Sequence, residues 1–345
     1  MDGPTTSHYR QSTHLPDGIP SLWSSAIGPS QSRIATIEKG AAVKRLIVIA
    51  GLAIGMVLVG LASAQPAQAA TSTRMVRYGP FTIPGGTATD PGMIHNRLLF
   101  GVTRPCVDCH ITGFEPDLVD QNGASVNMDS GPMLHHMVLT SQWRRDATCA
   151  GSWLGLAGER FFASGNERTK VAFPAGYGYR VRYYDSWNLL VDLMNHAATS
   201  KTVYVQVTFT IRPSWESVKR LKPVWLDIDQ CGDSEYAIPA GFSDTHRDWN
   251  VNVPGKVVAM IGHLHGHGVA IEARKGTQED GELICRSDAK LDPMDPHVVV
   301  SMGTCVGDPV ATVASGEVVR LHSMYQSSHP ADDVMGIMLG YINPS

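Results

Sequence analysis

From Val76 to the C-terminus the apolar residues fall at every second position in short runs, and this alternation restricts the possible folds more than any other feature. Successive side chains on a strand point to opposite faces, so a period of two suits strands and not an amphipathic helix. The first runs are RLLFGV (97–102), HHMVLTS (135–141), WNLLVDLM (187–194) and TVYVQVTFTI (202–211). A second set is KVVAMIGHLHGHGVAIEAR (256–274), HVVVSMG (297–303), EVVRLHSMY (317–325) and VMGIMLGYI (334–342). Each is rich in β-branched or aromatic residues and bounded by turn formers, of which 34 Gly and 21 Pro give ample supply. Many short strands separated by turns predict sandwiches or barrels. The polar, proline-flanked segment RPSWESVKRLKP (212–223) is the expected boundary. The expected fold is therefore all-β, with two tandem antiparallel, jelly-roll-like β-sandwich domains over 75–213 and 214–345.

The chain before these runs reads as address, not fold. Residues 1–43 are rich in Ser, Thr, Pro and Gly without an apolar period, which predicts a disordered leader. Lys44-Arg45 then precedes the apolar run LIVIAGLAIGMVLVGLA (46–62), and Ala67 and Ala69 follow in the A-x-A pattern of a signal-peptidase site. Residues 44–69 thus read as a signal peptide, or as an uncleaved membrane anchor through residues 46–62. A true start near Val43 would explain the long leader. The expected location is secreted or extracytoplasmic, with membrane contact only through this segment. The formal charge of −4 argues against a non-specific nucleic-acid binder, and 43% hydrophobic residues with only 17% charged exclude a disordered chain.

Six cysteines in an exported chain predict disulfides. The expected bridges are Cys106 or Cys109 to Cys149, and Cys285 to Cys305. Cys106-Val107-Asp108-Cys109-His110 also matches the C-x-x-C-H attachment signature of c-type haem, which gives a second reading of those two thiols.

Two histidine groups could ligate a metal. His135 and His136 are adjacent, so both rings reach one ion only if the strand ends or bulges there. In His263-Leu264-His265-Gly266-His267, alternation would set three imidazoles on one strand face, with His263 and His265 the better ligands. Met335 and Met338 close the chain with soft thioethers, which favour Cu(I).

The order His135-His136-Met137, FPAGYGYRV (173–181), a strand pair, His263-x-His265 and a C-terminal Met strand resembles the copper type II, ascorbate-dependent monooxygenases. That family includes the peptidylglycine α-hydroxylating and dopamine β-monooxygenases. GPFTIP (79–84) and GERFFASGNERT (158–169) look closer still to a secreted bacterial group related to the plant stress-up-regulated nodulin-19 proteins. The resemblance implies two copper ions across a gap. One, held by three His, feeds electrons; the other, held by two His and a Met, activates dioxygen. Carried over, His135 and His136 are ligands of the first, while His263, His265 and Met335 make the catalytic second. The first site's third ligand falls at Met194, with His196 two residues on as its substitute. The implied activity is hydroxylation of an activated C–H bond with dioxygen and a one-electron donor such as ascorbate. A non-catalytic copper-binding or interaction protein on the same scaffold is the alternative. No residue identifies the substrate, small molecule or peptide; Arg168 and Arg180 are the candidate carboxylate binders.

Overall fold

The computed structural model describes residues 71–87, 89–150, 158–295 and 298–345. The leader and the signal or anchor segment expected over 1–69 lie outside the described residues. Among the described residues the one helical element is the 3-10 turn Met128–Ser130, and no helix is long and apolar enough to cross a membrane. Alternation became strands almost wherever it occurs. In TVYVQVTFTI, Val203, Val205, Val207, Phe209 and Ile211 are buried, while Tyr204, Thr208 and Thr210 are half-exposed. Each such side chain contributes roughly 1.5–3 kcal/mol when removed from water.

The strands form four sheets, almost entirely antiparallel. The first runs β1 (Ser72–Ile83), β9 (Lys201–Pro213), β3 (Cys109–Val119), β7 (Tyr177–Val181) and β10 (Lys219–Arg220), with β6 (Val171–Ala172) on β3. The second runs β2 (Gly92–Val102), β8 (Trp187–Asn195), β4 (Pro132–Ser141) and β5 (Glu159–Ser164). The third runs β11 (Lys222–Asp227), β20 (Ala331–Pro344), β14 (Gly255–Leu264) and β18 (Thr304–Val313), with β12 (Glu235–Ile238) on β20. The fourth runs β13 (Gly241–Asn250), β19 (Val318–Ser327), β15 (Gly268–Lys275), β16 (Leu283–Leu291) and β17 (Val299–Met302). Strands of the first two sheets lie between Ser72 and Arg220, and those of the other two between Lys222 and Pro344.

The third sheet is buried on both faces, which is why VMGIMLGYI is nearly continuous in apolar residues. Met335, Ile337, Leu339 and Tyr341 join the core of the first two sheets, whereas Val334, Met338 and Ile342 pack with the fourth. Met338 therefore points away from Met335. The Tyr341 hydroxyl donates to the Phe161 carbonyl at 2.8 Å, and its ring lies 4.6 Å from that of Phe173, so the two halves share one apolar cluster.

Two sequence expectations change here. The run 256–274 is two strands, not one: β14 ends at Leu264, and Gly268 N–H donates to the His265 carbonyl across a turn in which His267 has φ 65°. The turn sends the His267 ring to His329, 5.6 Å away, so three imidazoles do not share a strand face. Of the disulfides, Cys285–Cys305 forms as expected, but Cys106 bonds Cys109 and Cys149 bonds Cys231. A bridge spanning 82 residues depends on how the halves dock, which cysteine spacing does not encode. Three disulfides point to an oxidising compartment.

Candidate metal centre

The outer face of the second sheet and one face of the third border a cavity of about 380 Å³. Into it come His135, His136 and Asp192 from one half, and His263 and Met335 from the other. The four-stranded sheet delivers its pair through a bulge. In the β4–β8 ladder, Leu134 opposes Leu193 and His136 opposes Asp192, so His135 is the extra residue. A bulge leaves one residue unpaired and re-aims its side chain. The two rings lie 4.0 Å apart by centroid, so the irregularity that the sequence required is present. In the third sheet His263 opposes Ile337, and Met335 lies two residues further along the same face of β20. His265 follows the strand end.

The imidazole pairs expected at two separate ions meet in one cluster. His136 Nε2 and His265 Nε2 are 3.0 Å apart, and the His136 ring lies 5.1 Å from both His263 and His265. One donor atom each from His135, His136 and His265 falls within 4.8 Å of the others, with His263 at their side. Met194 and His196 do not line this cavity. Met194 opposes Met133, and His196 N–H donates to the Gly131 carbonyl just beyond the end of β8.

Surrounding groups fix which ring nitrogen carries its proton. His265 Nδ1–H donates to the Asp333 carbonyl at 2.5 Å, and His263 Nδ1–H donates to Glu167 Oε1 at 3.2 Å. Each bond leaves the Nε2 lone pair turned toward the cluster, the arrangement that orients metal-ligating histidines. His136 Nδ1 lies 3.9 Å from Asp192 Oδ2. The Tyr325 hydroxyl accepts from the His265 backbone N–H at 2.9 Å and donates to the Met335 carbonyl at 2.6 Å, holding the turn to β20. Gly165 is required by close approach. A Cβ there would stand 2.8 Å from both the His135 carbonyl and His263 Cε1.

Burial disfavours the charged form of His135, His136 and His265. It lowers His135 to about 4, with repulsion from His263 adding to the effect. Burial, then the neighbouring rings, holds His136 and His265 well below the ordinary imidazole value. Glu167 is pushed up by burial, yet His263 and the Gly165 N–H more than offset this and keep its carboxyl low. His263 Nε2 and His135 Nδ1 are shut from solvent without a hydrogen-bond partner. Buried polar nitrogens are rarely left unpaired in a native fold. Convergent imidazoles, two of them with a buried nitrogen that has no partner, and a thioether in the same cavity fit a copper ion.

The remaining candidates take structural places. Arg168 pairs with Asp117 and Arg180 with Asp108, each at 2.6 Å. Cys106 and Cys109 are bonded to each other, so neither thiol is available to a haem vinyl group, and His110 is buried opposite Arg180. Glu167, Asp192, Tyr325 and the Asp333 carbonyl escaped sequence reasoning. Only Asp192 left a signal, as the one charge inside WNLLVDLM.

The family model described as stress up-regulated Nod 19 matches residues 178–343, which include His263, His265 and Met335 and begin after His135 and His136. A protein of Phoma sp. named probable copper-dependent oxygenase M1 is 27% identical over 289 residues, covering 78% of this chain and 72% of its own. The probable copper-dependent oxygenase clz3 of Cochliobolus lunatus is 24% identical over 241 residues, covering 64% and 75%. Among solved structures, the major capsid protein P2 from bacteriophage PM2 aligns over 79% of this chain and 98% of its own, at 10% identity and a TM-score of 0.33, too low to bear on fold or function.

Proposed function

We propose that this chain is an exported copper-dependent oxygenase whose metal centre is the cluster of His135, His136, His263 and His265. One observation carries this reading: two imidazole pairs from different halves converge, with His263 Nε2 and His135 Nδ1 buried and partnerless. The relatives named probable copper-dependent oxygenases support the same class. When bound, copper supplies the one-electron and dioxygen chemistry.

The chain's own residues do the rest. Glu167 and the Asp333 carbonyl hold the Nδ1 protons of His263 and His265 and so present their Nε2 lone pairs. Leu98, Val138, Leu190, Ile261, Ile337 and Leu339 line the cavity and offer an apolar bed for the substrate's C–H region while excluding water. Arg160 reaches the cavity already neutralised by Asp146 at 2.9 Å, so it is a poor anchor for a substrate carboxylate. Ascorbate is the proposed electron donor. A single Cu(II) per chain is the stoichiometry the one cluster supports, in place of the two ions implied by the resemblance.

Metal analysis and oxygen uptake test this together. Purified protein loaded with Cu(II) is expected to hold one ion and to consume oxygen with ascorbate. His136→Ala and His265→Ala are each expected to abolish both. Each variant retaining one of two ions would restore two separate centres. Full copper without oxygen uptake would leave a non-catalytic copper-binding protein. Unchanged copper in both variants would overturn the centre itself.

A further inference from the structure

Three methionines stand in a row across the second sheet, outside anything the oxygenase centre uses. Met194 on β8 is opposed by Met93 on β2 and by Met133 on β4, in register and ahead of the bulges in both ladders. Their chain neighbours Leu134 and Leu193 are wholly buried in the core, so alternation turns the three methionines to the opposite face. All three are half-buried there, and none belongs to either apolar core. Residues directly opposed on neighbouring strands hold their Cβ atoms about 4.5–5.5 Å apart. Three unbranched thioether side chains spaced that way can bring their sulfurs onto one small ion.

We propose that Met93, Met133 and Met194 form a cuprous-ion site distinct from the imidazole cluster. Thioether sulfur is a soft donor that favours Cu(I) over Cu(II). His196 supplies a fourth donor. Its backbone N–H extends the ladder to Gly131, and its Nε2 is closed to solvent without a hydrogen-bond partner. The row adjoins the centre. Met194 and Asp192 are two residues apart on one strand face, about 7 Å, and Asp192 opposes His136. Cu(I) held there stands two residues along β8 from the position opposite His136, so it can be passed to the imidazole cluster during loading, with no electron transfer required. That role rests on the oxygenase reading; the site does not.

Anaerobic Cu(I) titration of the full chain against a chromophoric chelator tests it, with Ag(I) as an air-stable substitute. In His136→Ala/His265→Ala, one equivalent of Cu(I) is expected to remain bound. Adding Met133→Leu and Met194→Leu, which keep volume, is expected to weaken that equivalent by about 10-fold or more. X-ray absorption should show sulfur neighbours that vanish in the leucine variant. In the otherwise unaltered chain the same two leucines should remove one Cu(I) equivalent and leave Cu(II) binding intact. This arm separates the site from the imidazole centre and does not depend on the histidine variants folding. Equal Cu(I) and Ag(I) affinity with and without the leucines would show that the row is apolar packing and overturn the proposal.

Discussion

The two halves reach the same cavity by different local means. The N-terminal half presents adjacent histidines, which a regular strand would splay, and it needs a bulge at His135 to bring them together. The C-terminal half spaces its pair by one residue, so alternation does most of the work and the turn after Leu264 does the remainder. The halves also brace each other. Glu167 from the first orients His263 of the second, and the Arg160 guanidinium lies 4.7 Å over the Trp225 ring. A centre divided between two halves is only as ordered as their docking.

The largest test of that dependence is the bridge between halves. Removing Cys149–Cys231 as a Ser pair is expected to cost about 4.5 kcal/mol from loop-closure entropy, against about 3 kcal/mol for Cys285–Cys305, whose loop is shorter. Only the first should also weaken Cu(II) binding. Denaturant unfolding paired with metal titration reads both, and equal effects on copper would mean that docking does not govern the site.

Next is the buried Asp146–Arg160 pair behind the cavity. Asp146→Asn leaves Arg160 buried and uncompensated, at an expected cost of about 3–5 kcal/mol. The pH dependence has a definite sign. Burial opposes ionisation of Asp146, but Arg160 overrides it and holds the carboxyl far below the usual range. Stability from this pair is therefore present above the unfolded value of about 3.9 and lost as pH falls below it. Acid unfolding of the wild type should be steeper than that of the Asn variant, and identical slopes would remove the pair from the account.

A smaller effect belongs to Glu167→Gln, which keeps shape but weakens the hold on His263. Copper affinity is expected to fall about 10–100-fold with little change in melting temperature. Because Glu167 comes from the other half, a loss as small as a surface substitution would indicate that the C-terminal pair orients itself. Smallest of all is His267→Ala. Its ring packs on His329 instead of entering the cluster, so copper affinity should not move. A clear loss would return His267 to the ligand set.

Much of this protein was legible because strands write their period into sequence. TVYVQVTFTI and EVVRLHSMY gave their strands within a residue or two, and His263-x-His265 gave two imidazoles that lie side by side in the cluster. The run 256–274 misled because Gly266-His267 turns without Pro or Asn to mark it, while apolar residues resume at once on the other side. The bulge at His135 could be stated only as a condition, since nothing local says which strand will gain a residue.

Sequence by itself determined the all-β class, the candidate imidazoles and the soft sulfur near the C-terminus, because side-chain alternation and ligand chemistry are local properties. Tertiary structure alone decided that four histidines share one site, that Cys149 finds Cys231 and that three methionines align across strands. These depend on strand register and on how two apolar faces dock, and both are set by contacts between residues far apart in the chain.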